Sequence, residues 1–346
     1  MRSLAVEKDL SLRIVDVPMP AYDDCRVLVK TLSCGVCAGT DTKIAHGKFK
    51  NVEQYPLLLG HEAVGEVLEV GKNVTRFKVG DHVLLPFVEG ELGGYASYWG
   101  AFSEYGVCGD WLAMAQNGTG PYTPGFGDFY RTQTVLPKGF DPISSAMIVT
   151  FREVLSGIRS FGFKHGESLV VFGAGPVGLC FVKFSKLLGL GPVISVDIMD
   201  EKIGEAEKAG ADYAFNSTKT DIVSEIKKIC PEGVDHMVDA VGVNELILTA
   251  MQFVKDGGQM CTYGISPKLS MQLDWSRAPY NWRLSFLQFP YKRMEADANS
   301  QIINWIEMGV LDPSDFISHV FPFENILDAF DLIEKRQPCK KIVIRY

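Results

Sequence analysis

The chain has no uninterrupted apolar run approaching the ~20 residues of a membrane-spanning helix, and it has no block of Lys and Arg. The first absence excludes a helical membrane span. The second, with 34 basic against 42 acidic side chains and a net charge of −8, argues against a nucleic-acid partner, and any anionic ligand would need a local basic pocket. The opening "MRSLAVEKDLSLRIVDVP" interrupts its apolar positions with charge too early for a secretory signal, so the chain reads as cytoplasmic. Eight cysteines are scattered through 346 residues without a disulfide-like framework, which makes burial or ligation their default role. Internal repeats and low-complexity tracts are absent. What is present, 47% apolar and 22% charged residues, belongs to a soluble globular protein too long for one growing core, and two domains are expected.

Residues 26–32, "RVLVKTL", alternate in the strand manner, and 62–86 supplies further short strands cut by glycine turns. The first part, 1–147, is expected to be a small β-barrel domain. Within it, Val88 to Gln133 is glycine-rich and crowded with aromatics such as Tyr95, Tyr98, Trp99, Trp111, Phe126, Phe129 and Tyr130. It reads as a loop-rich insertion that either packs beneath its own loops, forms a subunit contact or walls a substrate pocket. From about residue 142 strands and helices alternate. "SLVVFG", a helix Pro176 to Leu188, "PVISVD", a helix Asp200 to Ala209 and "YAFN" are followed by further pairs, which together describe a doubly wound parallel sheet over 148–290. The segment 291–346 holds a helix over "ADANSQIINWIEMG" and a last strand that returns to the first domain.

Gly173, Gly175 and Gly178 stand in G-x-G-x-x-G spacing between a predicted strand and a predicted helix. That context favours dinucleotide binding over a glycine turn that merely packs a sheet. The glycines give a tight turn, a close approach of backbone to pyrophosphate at a helix N-terminus, and close packing of helix on strand. Pro176 suits the first helical turn. Asp197 ends the next strand, where a carboxylate accepts from ribose hydroxyls and repels a 2′-phosphate, so NAD is expected rather than NADP.

"LSCGVCAGTD" puts Cys34 and Cys37 three positions apart, and "LLLGHEAVGEV" sets His61 beside Glu62 just before a strand. Thiolate, imidazole and carboxylate are the ligand types zinc takes, and three protein ligands with an open position make a catalytic site. A lone cysteine or histidine is more often a core residue. From the residues alone Cys34 and Cys37 are a redox pair, two structural ligands, or one ligand beside a bystander.

"CGVCAGTD", "GHEAVGEV", "VTRFKVGDHV", "GAFSEY" and "GAGPVGL" occur in the order found in zinc-dependent medium-chain alcohol and polyol dehydrogenases, and the resemblance spans essentially the whole chain. It implies a GroES-like catalytic domain, a Rossmann coenzyme domain, zinc and NAD as cofactors, and a homodimer or homotetramer. It makes Cys37 and His61 zinc ligands, Glu62 a ligand or a carboxylate just behind them, and Cys34 a packing residue. For the coenzyme it implies Gly173, Gly175, Pro176, Val177 and Gly178 at the pyrophosphate, Asp197 and Lys202 at the adenosine ribose, and Val241 and Gly264 near the nicotinamide. Three departures stand out. Between residues 86 and 135 only Cys108 is found, so the four-cysteine lobe of many relatives is missing and one catalytic zinc per subunit is expected, with no structural zinc. "CAGTD" carries one residue more than usual before Thr40 and Asp41, with Thr40 the relay hydroxyl and Lys43 or His46 further along. The position of the family's remaining ligand falls on Val149, which cannot bind zinc; Glu153, one helical turn onward, is the nearest candidate, with water the alternative.

The resemblance implies reversible oxidation of a secondary alcohol, with a polyol, cyclitol or sugar alcohol favoured. A phosphorylated sugar alcohol stays open, since Arg277, Arg283, Lys292 and Arg293 lie among aromatics in one stretch. So do a metal-free quinone-reductase-like enzyme and a non-catalytic NAD-binding protein of the same fold.

Overall fold

The computed structural model describes residues 1–124 and 126–346. They divide into two compact units, one built from Met1–Arg152 together with Lys292–Tyr346 and the other from Glu153–Tyr291. Among the described residues no helix is long and apolar enough to cross a membrane.

The first unit is organised around the strand Arg26–Val36, which pairs antiparallel with Ala63–Val70 on one side and with both Lys341–Arg345 and Tyr105–Gly109 along the other. Val27, Leu28 and Val29 are all buried, so the simple alternation read from "RVLVKTL" gives way to burial on both faces. Val27 and Val29 pack with Val67, Phe77, Val83 and Cys108. A second sheet joins Leu12–Asp16, Arg2–Val6, Leu57–Leu58, Tyr95–Ser97 and Glu91–Leu92. The last strand does return: Lys341–Arg345 lies between Ile317–Pro322 and Arg26–Val36, with Ile344 opposite Cys34.

The stretch 88–133 is more ordered than its composition suggests. Its strand Tyr105–Gly109 belongs to the central sheet, hidden in the sequence by two glycines in five residues. Trp111, Phe126 and Phe129 pack against Cys25, Ala113, Met114 and Tyr130. These aromatics cover their own loops.

In the second unit six parallel strands run in the order Tyr213–Asn216, Val193–Asp197, Leu169–Phe172, Val234–Asp239, Val254–Thr262, Trp282–Phe286. The order reverses beside Leu169–Phe172, the strand that leads into the glycine motif, and a parallel sheet binds ligands at that place, beyond the carboxyl ends of its strands. The helices Pro176–Leu187 and Asp200–Ala209 fall almost where the periodicity predicts. The helix Glu245–Ala250 is short, because the apolar residues that follow are taken by the turn into Val254–Thr262.

Asp110 anchors the helix Trp111–Gln116 to the loop before Phe77. Its Oδ1 accepts from the N–H groups of Leu112 and Ala113 at 3.0 and 3.2 Å, and its Oδ2 from those of Thr75 and Arg76 at 2.8 and 2.9 Å. Burial alone would raise the Asp110 carboxyl, but these donors outweigh it and hold it below its usual value. A depressed pKa stabilises the fold above the ordinary carboxylate range, and that contribution is lost as pH falls through the folded value. Asp110→Asn is therefore expected to cost about 2 kcal/mol at neutral pH, with the gap to the native protein closing in acid, as read from urea unfolding over a pH series.

Candidate metal and coenzyme sites

Cys37 closes the end of the central strand, and the chain turns at once into the short helix Asp41–Ala45. The N–H groups of Thr40 and Asp41 both return to the Cys37 carbonyl, at 3.0 and 2.8 Å. Asp41 is fully buried and reaches in two directions. Its Oδ2 accepts the Cys37 N–H at 2.9 Å, and its Oδ1 lies 3.1 Å from Nδ1 of His61. The two atoms approach closely without completing a hydrogen bond. Burial would lower the His61 pKa, but the Asp41 carboxylate and the Cys37 sulfur raise it well above the ordinary histidine value.

Cys37, His61 and Glu62 each offer a ligand atom, and those atoms lie within 4.8 Å of one another. Around a tetrahedral zinc with bonds of ~2.0–2.3 Å, ligand atoms stand roughly 3.6 Å apart. The sulfur, nitrogen and oxygen donors are of the kinds zinc takes. Glu62 is also buried, and both its oxygens meet Nζ of Lys341, at 2.8 and 2.5 Å, while Thr150 Oγ1 donates to Oε1 at 3.2 Å. A Cβ on Gly35 would lie 2.3 Å from Glu62 Oε2, so the carboxylate rests directly on that glycine.

Glu153 follows on the helix Met147–Phe161, where it begins the second unit; it is not one of the three grouped residues. Val149 is a buried core residue, and its neighbour Thr150 is the one that touches Glu62. Cys34 is fully buried, and burial pushes its thiol well above the ordinary value. It behaves as an inert packing residue. Thr40 is nearly buried and its side chain does not cap the helix that follows. His46 pairs at 3.1 Å with Glu334 on the surface.

In the second unit Gly175 caps the helix Pro176–Leu187 in extended conformation, with Pro176 in the first turn. The N–H groups of Val177 and Gly178 open that helix, where amides lack intrahelical partners. A Cβ on Gly178 would fall 1.7 Å from the Gly173 carbonyl oxygen, whereas one on Gly175 would meet nothing within 4 Å. The third glycine thus serves packing, and the second leaves open space of the kind a pyrophosphate fills. Asp197 knits this turn to the next strand, accepting from Ala174 N–H at 2.7 Å and from Ile198 and Met199 N–H at 2.7 and 3.1 Å. A carboxylate has about four acceptor positions, so capacity remains for a ribose hydroxyl. Lys202 is buried with its Nζ 2.8 Å from Glu205. Val241 and Gly264 sit where neighbouring strands end. The Val241 N–H is held at 2.8 Å by Asp239, and a Cβ on Gly264 would press on Gly242 N at 2.1 Å.

The sequence alone does not single out Asp41, Thr150 or Lys341. Asp41 lies inside the quoted cysteine motif and is the one with a local signal.

A parallel nucleotide-binding sheet joined in one chain to a unit that gathers thiolate, imidazole and carboxylate defines a metal-type dehydrogenase. Residues 176–298 match the zinc-binding dehydrogenase family and residues 23–123 the alcohol dehydrogenase GroES-like domain. A sorbitol dehydrogenase of Bacillus subtilis (strain 168) is 25% identical over 99% of this chain and 97% of its own length. An NAD-dependent alcohol dehydrogenase of Sulfurisphaera tokodaii is 30% identical over 69% of this chain and 70% of its own. An Escherichia coli CFT073 alcohol dehydrogenase solved as a complex with NADH superposes with a TM-score of 0.81, at 23% identity, over 100% of this chain and 99% of that one; that likeness is one of fold. The chain belongs to the zinc-type medium-chain dehydrogenase family, with a GroES-like domain and a Rossmann-type coenzyme sheet.

Removing one member of a buried ion pair strands the other charge. Lys341→Met is expected to destabilise the protein by about 3–5 kcal/mol, and the double variant with Glu62→Gln to recover much of that loss in denaturant unfolding. A single variant as stable as the native protein would remove the pair from any structural role.

Proposed function

We propose that the protein catalyses the reversible, zinc-dependent and NAD-linked oxidation of a secondary alcohol, a polyol, cyclitol or sugar alcohol, to its ketone. The observation that carries this reading is the grouping of Cys37, His61 and Glu62 within 4.8 Å in a chain that also holds the open glycine turn at Gly175. When bound, zinc supplies a Lewis acid for the alcohol oxygen and NAD an acceptor for the hydride.

The chain's own residues hold and orient these groups. Cys37, His61 and Glu62 would hold the metal, with water in the remaining position. Asp41, with its carboxylate 3.1 Å from Nδ1, would orient the imidazole for a bound metal. Lys341 holds the Glu62 carboxylate in place through both of its oxygens. Thr40 Oγ1 takes the hydroxyl proton on its way to water. Asp197, and Lys202 behind it, receive the adenosine ribose, and the amides after Gly175 receive the pyrophosphate, with Val241 and Gly264 bounding the nicotinamide.

The sorbitol dehydrogenase relative, aligned over nearly its full length, supports a polyol. An uncharged substrate is favoured over a phosphorylated one: of the four cations in the stretch 277–293, Arg277 lies 3.5 Å from Asp274 and Lys292 2.8 Å from Glu295, so two are offset.

Metal analysis of purified protein is expected to find one zinc per chain, and a panel of polyols with NAD to yield at least one substrate. Cys37→Ser is expected to lose both zinc and turnover while keeping its affinity for NAD; undiminished turnover in that variant defeats the metal assignment. Asp197→Ala is expected to weaken the preference for NAD over NADP by about 10- to 100-fold. Equal use of the two coenzymes by the native protein would refute the role given to Asp197.

A further inference from the structure

The geometry points to Trp99 as a positioning residue for His61, its tilted indole packing against the imidazole while the Asp41 carboxylate lies 3.1 Å from Nδ1; this rests on the zinc site proposed above. The indole and imidazole centroids are 5.1 Å apart with the planes tilted by 47°, within the range of favourable aromatic pairs. Trp99 itself has φ +62°, followed by Gly100 at φ +59°. A bulky residue in the left-handed region is an outlier that persists only where its surroundings over-determine it, and such outliers cluster at functional sites.

The surroundings here do over-determine it, and they are the residues that carry His61. Tyr98 N–H donates to Leu58 O at 3.0 Å, Phe102 N–H to Leu59 O at 2.9 Å and Ala101 N–H to Gly60 O at 2.9 Å. The segment bearing the tryptophan is thus zipped onto the three residues before His61. Gly60 has φ +104°, and a Cβ there would lie 2.5 Å from Phe102 N, so the two segments meet backbone to backbone. On the other side the Trp99 carbonyl accepts from Val88 N–H at 2.9 Å. Two left-handed residues in succession reverse the chain between these anchors, and the reversal delivers the indole onto the imidazole. A residue that merely filled space would need no such conformation, because glycine adopts it without strain.

That contrast supplies the test. Zinc release to a chelator is timed for native protein, Trp99→Gly and Trp99→Phe, and visible spectra are taken after cobalt substitution. Trp99→Gly is expected to release zinc about tenfold faster, the usual scale for loss of a group that orients a metal ligand, and to alter the cobalt spectrum. Its metal-free form should unfold no earlier than the native one, since glycine relieves the backbone. Trp99→Phe, which restores a ring, should return release to within about threefold of native. Native release rate and native cobalt spectrum in Trp99→Gly would overturn the inference alone. Earlier unfolding of metal-free Trp99→Gly would overturn it too, by assigning Trp99 to packing. A native protein that binds no zinc overturns both this inference and the proposed function.

Discussion

A buried ion pair between Glu62 and Lys341, residues 279 apart in sequence, governs the arrangement of the first unit. Removing two charges from water costs several kcal/mol per ion, and the attraction between them seldom gives a large net gain. What the pair secures is position. Lys341 begins the strand that lies against Arg26–Val36, the strand ending at Cys37, and Glu62 adjoins His61. The strand pairing and the charge pairing therefore fix the same relation, the approach of sulfur to imidazole. Thr150 and Gly35 bear on the same carboxylate, which gives Glu62 a defined orientation.

Order at this site comes in layers. Cys37 is held through its N–H by Asp41, Asp41 faces His61, and His61 lies under Trp99. Each of these residues is thus held by neighbours in its own unit. The coenzyme turn follows the same logic with fewer parts: Asp197 secures Ala174, and that places Gly175 with open space before it. In both units a buried or half-buried carboxylate accepts a main-chain N–H of the turn that carries the candidate residue.

Much of this was legible in the sequence wherever the signal was local. The second unit's helices and strands follow their apolar periodicity closely, because a parallel sheet covered by helices leaves little for distant residues to decide. The glycine motif and the Cys37, His61 and Glu62 set were visible for the same reason, as short patterns of uncommon residue types. Other features depend on contacts between distant segments. Nothing around Lys341 distinguishes it from a surface lysine, and burial at 3% exposure follows only from the strand on which it arrives. Trp99 looked like one aromatic among many, since its backbone conformation is set by hydrogen bonds to residues 58–60. Tyr105–Gly109 was hidden because two glycines mask its strand character. For Val149 the sequence count and the buried side chain agree in denying zinc a ligand there; the neighbouring hydroxyl contributes to Glu62 instead.

The first unit is discontinuous, interrupted by the whole of Glu153–Tyr291. On a ribosome adding roughly 5–20 residues per second, the 279 positions between Glu62 and Lys341 correspond to roughly 15–60 s. During that interval the carboxylate has no cation and the central strand lacks a neighbour, while the intervening nucleotide-binding sheet has all its strands in hand. Synthesis order thus makes the coenzyme fold the earlier half to mature, and the metal cradle is finished only when its last strand emerges.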